Sequence, residues 1–485
     1  MTSIKRASLL AGAATLTLTG GSFADTAVEA QNEELRSRIA QLEGRLADVE
    51  AQGNDNWLTE RRADEIRSVV EDVLADADTR SSMLAQGMTA GYDDGAVIAS
   101  ADGNWLLRTN LLLQTRFMFN NQEAAPSGAS DSTVWGFEVT RAKFMLSGNV
   151  VSPEWFYRVD IETSPNASGA VGSSGDPRFG LLEAYAGYDF GNGWKLYGGQ
   201  FKAPLLFEEL VEDQYQQAVE RSLVNYLYTG GYTQGIAVDY LGDQFHVVGS
   251  WNNGINDVGY GGGVGVGAGG AALGPDTELA FTARGEWLAM GTWDQFKDIT
   301  SPQGEEMGVR VGGAWHFQTS ESGGGVAGKR TELMVFALDA SAEFGGANVY
   351  AQLSYSIENY KSPAVGPTGI GANAKPWGIV LGGGWYWTED WELFGRYEWS
   401  DRGALGTAGN PDNINILTFG VNKYFAGHNA KWTTDIGIGL TTLDGLAGTS
   451  TGAAIAPVTG WRQDNAGTTN DDGQILIRTQ LQILF

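Results

Sequence analysis

The chain has 485 residues, 42% of them hydrophobic, with 69 Gly, 16 Trp, 17 Tyr and no cysteine, and a formal net charge of -27. With no Lys/Arg cluster to set against that acidity, nucleic acid is excluded as a partner, because neutralising phosphates takes a basic face.

The N-terminal elements come first. Lys5 and Arg6 precede the apolar run ASLLAGAATLTL, and the small-x-Ala site Ser22-Phe23-Ala24 follows, which is the layout of a secretory signal covering residues 1–24. Over residues 25–56 the positions Val28, Leu35, Ile39, Leu42, Leu46 and Val49 step by threes and fours, with Asn32 completing the series. That heptad seam, flanked by charges, predicts a coiled coil. A second helical pattern spans residues 57–86, with Ile66, Val69, Val70, Val73 and Leu74 on one stripe, and a glycine-broken linker follows over residues 87–103. Past the signal no run of roughly 18 apolar residues exists, so a membrane helix is excluded by length.

From residue 104 to 485 the period changes to two. In WLLRTNLLLQTRFMFNNQ, Leu107, Thr109, Leu111, Leu113, Thr115, Phe117 and Phe119 share one face, and Arg108, Asn110, Gln114, Arg116 and Asn120 the other. Such segments recur at Val139–Val150, Trp155–Thr163, Leu181–Asp189, Trp194–Ala203, Gln234–Tyr240, Phe245–Asn252 and Glu278–Trp287. They continue at Met307–Phe317, Glu332–Glu343, Asn348–Ile357, Trp377–Thr388, Trp391–Ser400, Ile414–Phe425, Lys431–Thr442 and Gln474–Phe485, about sixteen in all. A tilted strand of this length crosses a bilayer, with aromatic residues near its ends.

The connections alternate between short and long, the pattern of periplasmic turns and external loops; Leu288–Glu306 breaks it by being long in the short series. A soluble sandwich or propeller also has many short strands, but its polar face is richly charged, whereas here Arg, Asn, Gln, Glu and Gly are mixed as in a watered lumen. Because hydrocarbon offers the backbone no hydrogen bonds, the expected fold is a closed all-β transmembrane barrel of about sixteen antiparallel strands, preceded by the coiled coil. The last strand, ILIRTQLQILF, then seals against the first with Ile475, Ile477, Leu481, Ile483 and Phe485 toward lipid.

The segments GFEVTRAKFMLSGNVVSPEWFYRVDIE (136–162), LLEAYAGY (181–188), GGQFKAPLLFEEL (198–210), VERSL (219–223) and TQGIAVDY (233–240) together resemble the phosphate-selective porin O and P family. The resemblance is densest over residues 105–255. It implies a trimeric outer-membrane porin whose third external loop, here Pro204–Tyr232, folds into the lumen, and the terminal Phe485 resembles the signal read by the outer-membrane assembly machinery.

In phosphate-binding members the resemblance implies an arginine ladder. Arg108, Arg116, Arg141, Lys143, Arg158, Arg284, Arg310, Arg396 and Arg478 fall on expected inward faces, but so do Asp160, Glu162, Glu183, Glu278, Glu286, Glu392 and Glu398. The expected constriction loop is acidic, with Glu208, Glu209, Glu212, Asp213 and Glu220 against Arg221. Selective anion sites need rings of one sign or desolvated donors, so mixed signs point to a general pore, with each inward Arg a wall cation paired to a neighbouring carboxylate. His246, His316 and His428 stand far apart without ligand spacing or a nucleophile motif, and neither an enzyme nor a cofactor is expected. The sequence reading is therefore an outer-membrane porin for ions and small hydrophilic solutes, with periplasmic helices. Its competitors are a phosphate-preferring pore, a structural barrel tethered to peptidoglycan through the coiled coil, and a hydrolase using His246 or His316.

Overall fold

The computed structural model describes residues 37, 41, 87–122, 132–164, 178–255, 277–320, 331–360, 375–401, 413–441, 443, 459–462 and 474–485. The signal, the coiled coil over 25–56 and the second helix over 57–86 lie outside the described residues, apart from the helical Ser37 and Gln41.

Residues 87–103 are not a linker. β1 (Met88–Tyr92) and β2 (Ala96–Ser100) pair as a hairpin, and β2 continues onto the next strand, from Ala96 opposite Thr109 to Ala99 opposite Leu106. Five-residue strands are too short for a period-two pattern to stand out between glycines. Their turn is held by Asp94 and Gly95 in the left-handed region and by Asn110, whose Nδ2 donates to the Asp94 carbonyl at 2.6 Å.

The barrel runs through β3 (Leu106–Gln122), β4 (Ser132–Asn149), β5 (Trp155–Ser164), β6 (Arg178–Gly191), β7 (Trp194–Lys202), β8 (Tyr232–Leu241), β9 (Phe245–Asn252) and β10 (Thr277–Met290). It continues through β11 (Gly308–Ser320), β12 (Thr331–Glu343), β13 (Ala347–Tyr360), β14 (Trp377–Thr388), β15 (Trp391–Asp401), β16 (Asn413–Ala426), β17 (Ala430–Gly439) and β18 (Gln474–Leu484). Each strand pairs antiparallel with the next, and β18 closes on β3 from Gln474 opposite Gln122 to Leu484 opposite Leu112. The sixteen-strand ring satisfies its ladder without an open edge, as a β-structure in lipid must.

Side-chain alternation assigns the two faces. On β18 Ile475, Leu481 and Ile483 point out and are exposed, while Gln474, Arg478, Gln480 and Gln482 point in and are buried. Outward rows such as Trp135 and Phe137, Phe336 and Leu338, and Leu381 and Trp385 make the same apolar exterior around the ring. Mid-strand bulges interrupt the alternation on β4 and β6: Thr140 is the extra residue opposite Gln114 and Thr115, and Leu182 the extra one opposite Asp160 and Ile161. The first explains why the sequence pattern finds β4 only from Val139, whereas the strand starts at Ser132. A bulge turns side chains on either side of it toward the same face.

The long connection between β10 and β11 is an excursion rather than a misread register. It buries Phe296 and Ile299 beneath the barrel, accepts Asn348 Nδ2 at the Ile299 carbonyl (2.9 Å), and accepts the Gly346 N–H at the Ser301 carbonyl (3.0 Å). The inner face departs from expectation in one respect. Met118, Leu333, Val335, Val380, Ile414, Ile416 and Leu476 point inward and are buried, in positions where a watered lumen would be polar. Something apolar must cover them.

Candidate functional site

For Leu333, Val335, Val380, Ile414 and Ile416 that cover is the loop between β7 and β8, Ala203–Gly231, while Met118 and Leu476 lie against Gly460. The loop's base is pinched by the Ala203 N–H donating to the Gly231 carbonyl at 2.9 Å, and it carries two short helices, α1 (Phe207–Leu210) and α2 (Leu223–Tyr228). Ser222 starts α2 by accepting the Asn225 N–H at its Oγ (2.9 Å), the side-chain cap this residue type favours. Leu205, Leu206, Phe207, Leu223, Val224 and Tyr228 pack into one buried cluster with the inward Leu333, Val335, Val380, Ile414 and Ile416. The polar inner wall fails where a loop side chain takes the place of water.

The acidic residues of the loop meet the ladder. Glu220 accepts Arg116 at 2.9 Å and Arg141 at 2.8 Å; Asp213 pairs with Arg221 at 2.5 Å and lies 3.4 Å from Lys143. Glu212 gathers Lys143 and Lys202, each at 3.2 Å, and Arg158 at 2.9 Å. On the other side of the loop, Glu208 pairs with Arg396 at 3.2 Å and accepts the Ser222 N–H at 2.7 Å. Glu209 accepts Asn225 Nδ2 at 2.7 Å, and Arg221 donates to the Glu208 and Val211 carbonyls at 3.0 and 2.7 Å.

Burial disfavours ionisation of the loop carboxyls. For Glu220 the Arg141 and Arg116 guanidiniums outweigh it and hold the group below the usual range, and for Asp213 the Arg221, Arg141 and Lys143 charges hold it well below. Glu208 differs: its burial prevails over Arg396 and its pKa is raised.

The wall residues also pair among themselves. Arg158 is shared by Asp160 (2.7 Å), Glu183 (2.8 Å) and Glu212, and Glu162 lies 3.9 Å from Arg141. Arg284 and Arg310 converge on Asp339, each at 2.9 Å, and on Glu286, and Arg310 also stacks 3.7 Å over the Phe207 ring. Arg396 bonds Glu398 at 3.0 Å, and Arg478 bonds Asp435 at 2.7 Å. Nine of the wall positions picked out in the sequence, Arg116, Arg141, Lys143, Arg158, Asp160, Glu162, Arg284, Arg396 and Arg478, thus lie on the inner face inside the charge network. Arg108 pairs instead with Asp93 of the β1–β2 hairpin at 2.6 Å. Glu278 stands exposed at the outer end of β10.

The grip on the loop's backbone escaped the sequence reading. Asp435 accepts the Val219 N–H at 3.1 Å, Glu398 accepts the Leu223 N–H at 2.5 Å, and Lys431 donates to the Gln216 carbonyl at 2.7 Å, so the loop is held from β15 and β17. Backbone acceptors and donors leave no mark in composition; only the inward parity of Glu398 and Asp435 could have pointed to them.

Comparison with known proteins can now be set beside this geometry. No curated protein matches the chain. Solved structures similar to it include OmpF of Salmonella typhi in complex with daunomycin, at 13% identity over 81% of this chain and 100% of that one, with a TM-score of 0.49. The outer membrane channel DcaP of Acinetobacter baumannii is similar at 12% identity, over 81% of this chain and 100% of that one, with a TM-score of 0.48. An anion-selective porin from Comamonas acidovorans is similar at 13% identity, over 78% and 99%, with a TM-score of 0.47. The model of the family described as phosphate-selective porin O and P matches residues 113–268. That span contains Arg116, Arg141 and Lys143 of the wall together with the whole acidic loop.

Proposed function

We propose that the protein is a bacterial outer-membrane porin that passes ions and small hydrophilic solutes passively, works as a trimer and is not an enzyme. The observation that carries this reading is a closed ring whose outer face is apolar while its inner face holds charged side chains from β3 to β18, threaded by the loop that the family match covers. Phosphate preference has less support. The ladder cations that an anion would use already bond the protein's own carboxylates, and an anion must displace Glu220 or Glu212 to reach them.

The N-terminal helices are read as periplasmic, and Phe485 as the mark for the assembly machinery. Purified protein in a planar lipid bilayer tests the pore: stepwise currents are expected, and their absence sinks the reading. A second reading, a structural barrel anchored to peptidoglycan through the coiled coil at residues 25–56, is favoured by the loop's bonds to separate parts of the wall, Arg141 on β4 and Arg396 on β15. Deletion of 25–86 separates the two, because a tether loses envelope attachment while a pore keeps its conductance.

A further inference from the structure

The loop does not engage every sector of the lumen equally. Apart from Lys202 at its own base, its bonds go to β3, β4 and β5 on one side and to β10, β11, β13, β15, β16, β17 and β18 on the other. Among the described residues, many of the inward charged side chains left partly open to water lie along β5 to β10, toward the short-turn end; Arg108 of β3, paired with Asp93, and Glu138 of β4, paired with Arg116, are others.

The charges along β5 to β10 are mixed, with carboxylates in excess, whereas the ladder cations are closed off. Arg116, Arg141, Lys143, Arg284, Arg310, Arg396 and Arg478 each keep 5% or less of their side-chain surface, and every one lies beside a carboxylate. By contrast Asp189 keeps 37%, Asp239 22%, Glu212 19% and Glu286 12%. Among the described residues, the permanent cations left open in the same sector are Arg158, 27% exposed and surrounded by three carboxylates, and Lys195, 42% exposed and 3.8 Å from Asp189, while Lys202 and Arg284 are buried. His246 stands between Asp239 (3.0 Å) and Glu286 (2.8 Å), and the acidic excess holds whether or not it carries a proton.

We infer that solutes follow this β5–β10 sector and that the pore favours small cations over anions, the reverse of what the family's description suggests. The inference rests on the porin reading. The physical reason is that selectivity comes from the charge that water-borne ions meet, and the loop and the wall carboxylates together have neutralised and buried most of the basic charge of that surface. Opposite charges buried together exert little field on a passing ion, whereas a half-exposed carboxylate attracts cations directly.

The reversal potential of the full-length protein in a planar bilayer, under an about tenfold KCl gradient, reads this preference. The sign expected is that of K⁺ passing more readily than Cl⁻. Asp239→Asn is expected to move the potential toward zero, and Lys195→Gln to move it further toward cations; both side chains are partly exposed, so neither change should unfold the barrel. A wild-type potential of the anion-selective sign, or a potential that neither variant moves, overturns the inference while leaving the pore intact. Absence of any current from the wild type overturns the porin reading itself and the inference with it.

Discussion

Arg141 and Glu220 show what a single pair contributes. Both are nearly fully buried, and Glu220 also holds Arg116, so Glu220→Gln leaves two guanidiniums inside the barrel short of a counter-charge. Removing one partner of a buried ion pair costs about 3 kcal/mol or more. We expect Glu220→Gln to loosen the loop from β3 and β4, measured as faster protease cleavage between residues 203 and 231 with the barrel still heat-modifiable on gels. The same carboxyls give the docking a pH limit. Glu220 and Asp213 have pKa values depressed from 4.5 and 3.8, so the stability they add is complete above those values and lost as pH falls through the lowered ones. The part of the loop's protection that these two groups supply, lost in the Glu220→Gln variant, should therefore be constant from neutrality to mild acid and weaken below about pH 4; a wild-type-to-variant difference that is constant at still lower pH would contradict the assignment. Gly384 is a further single-residue constraint, because a Cβ there would collide with Gln217 and Glu392, which bond each other at 2.6 Å. Gly384→Val should displace the loop at that point and increase its cleavage.

At the scale of elements, the loop is amphipathic across its width rather than along a helix. Glu212, Asp213 and Glu220 face the basic residues of β3 to β5, Glu208 faces Arg396 of β15, and the apolar side chains face β12, β14 and β16, so none of these contacts can be judged from the loop sequence alone. Leu223→Asp would place a charge in that apolar cluster, where burying an unpaired charge is costly. Release of the loop is then expected, seen as a larger single-channel conductance than wild type; a smaller one would show that the loop does not narrow the lumen. The excursion between β10 and β11 behaves likewise at the other mouth. Phe296 is buried there within 5.8 Å of Arg310, and its truncation to Ala should expose residues 291–307 to protease while leaving the strands intact.

For the whole molecule, closure is the decisive event. Leu111 and Phe485 exchange backbone bonds at 2.6 and 3.0 Å across the seam, yet the Phe485 side chain is 55% exposed. Phe485→Ala should change the folded barrel's stability by no more than about 0.5 kcal/mol, since the seam is made by backbone. If the residue marks the chain for assembly, the same variant lowers the amount of barrel inserted in cells, which outer-membrane fractions measure. The strand number, the two faces of each strand and the alternation of short and long connections were legible in the sequence, because a period of two is a local property and lipid enforces it on every strand, whereas the loop that enters the lumen was implied only by the family resemblance. The bulges at Thr140 and Leu182, the hairpin over residues 88–100 and the apolar inner patch were not, since each depends on which strand or loop lies opposite. The charge that faces water was decided by tertiary structure alone: sequence counts the ladder arginines and the loop carboxylates separately, and only their pairing in space removes both from the lumen's field.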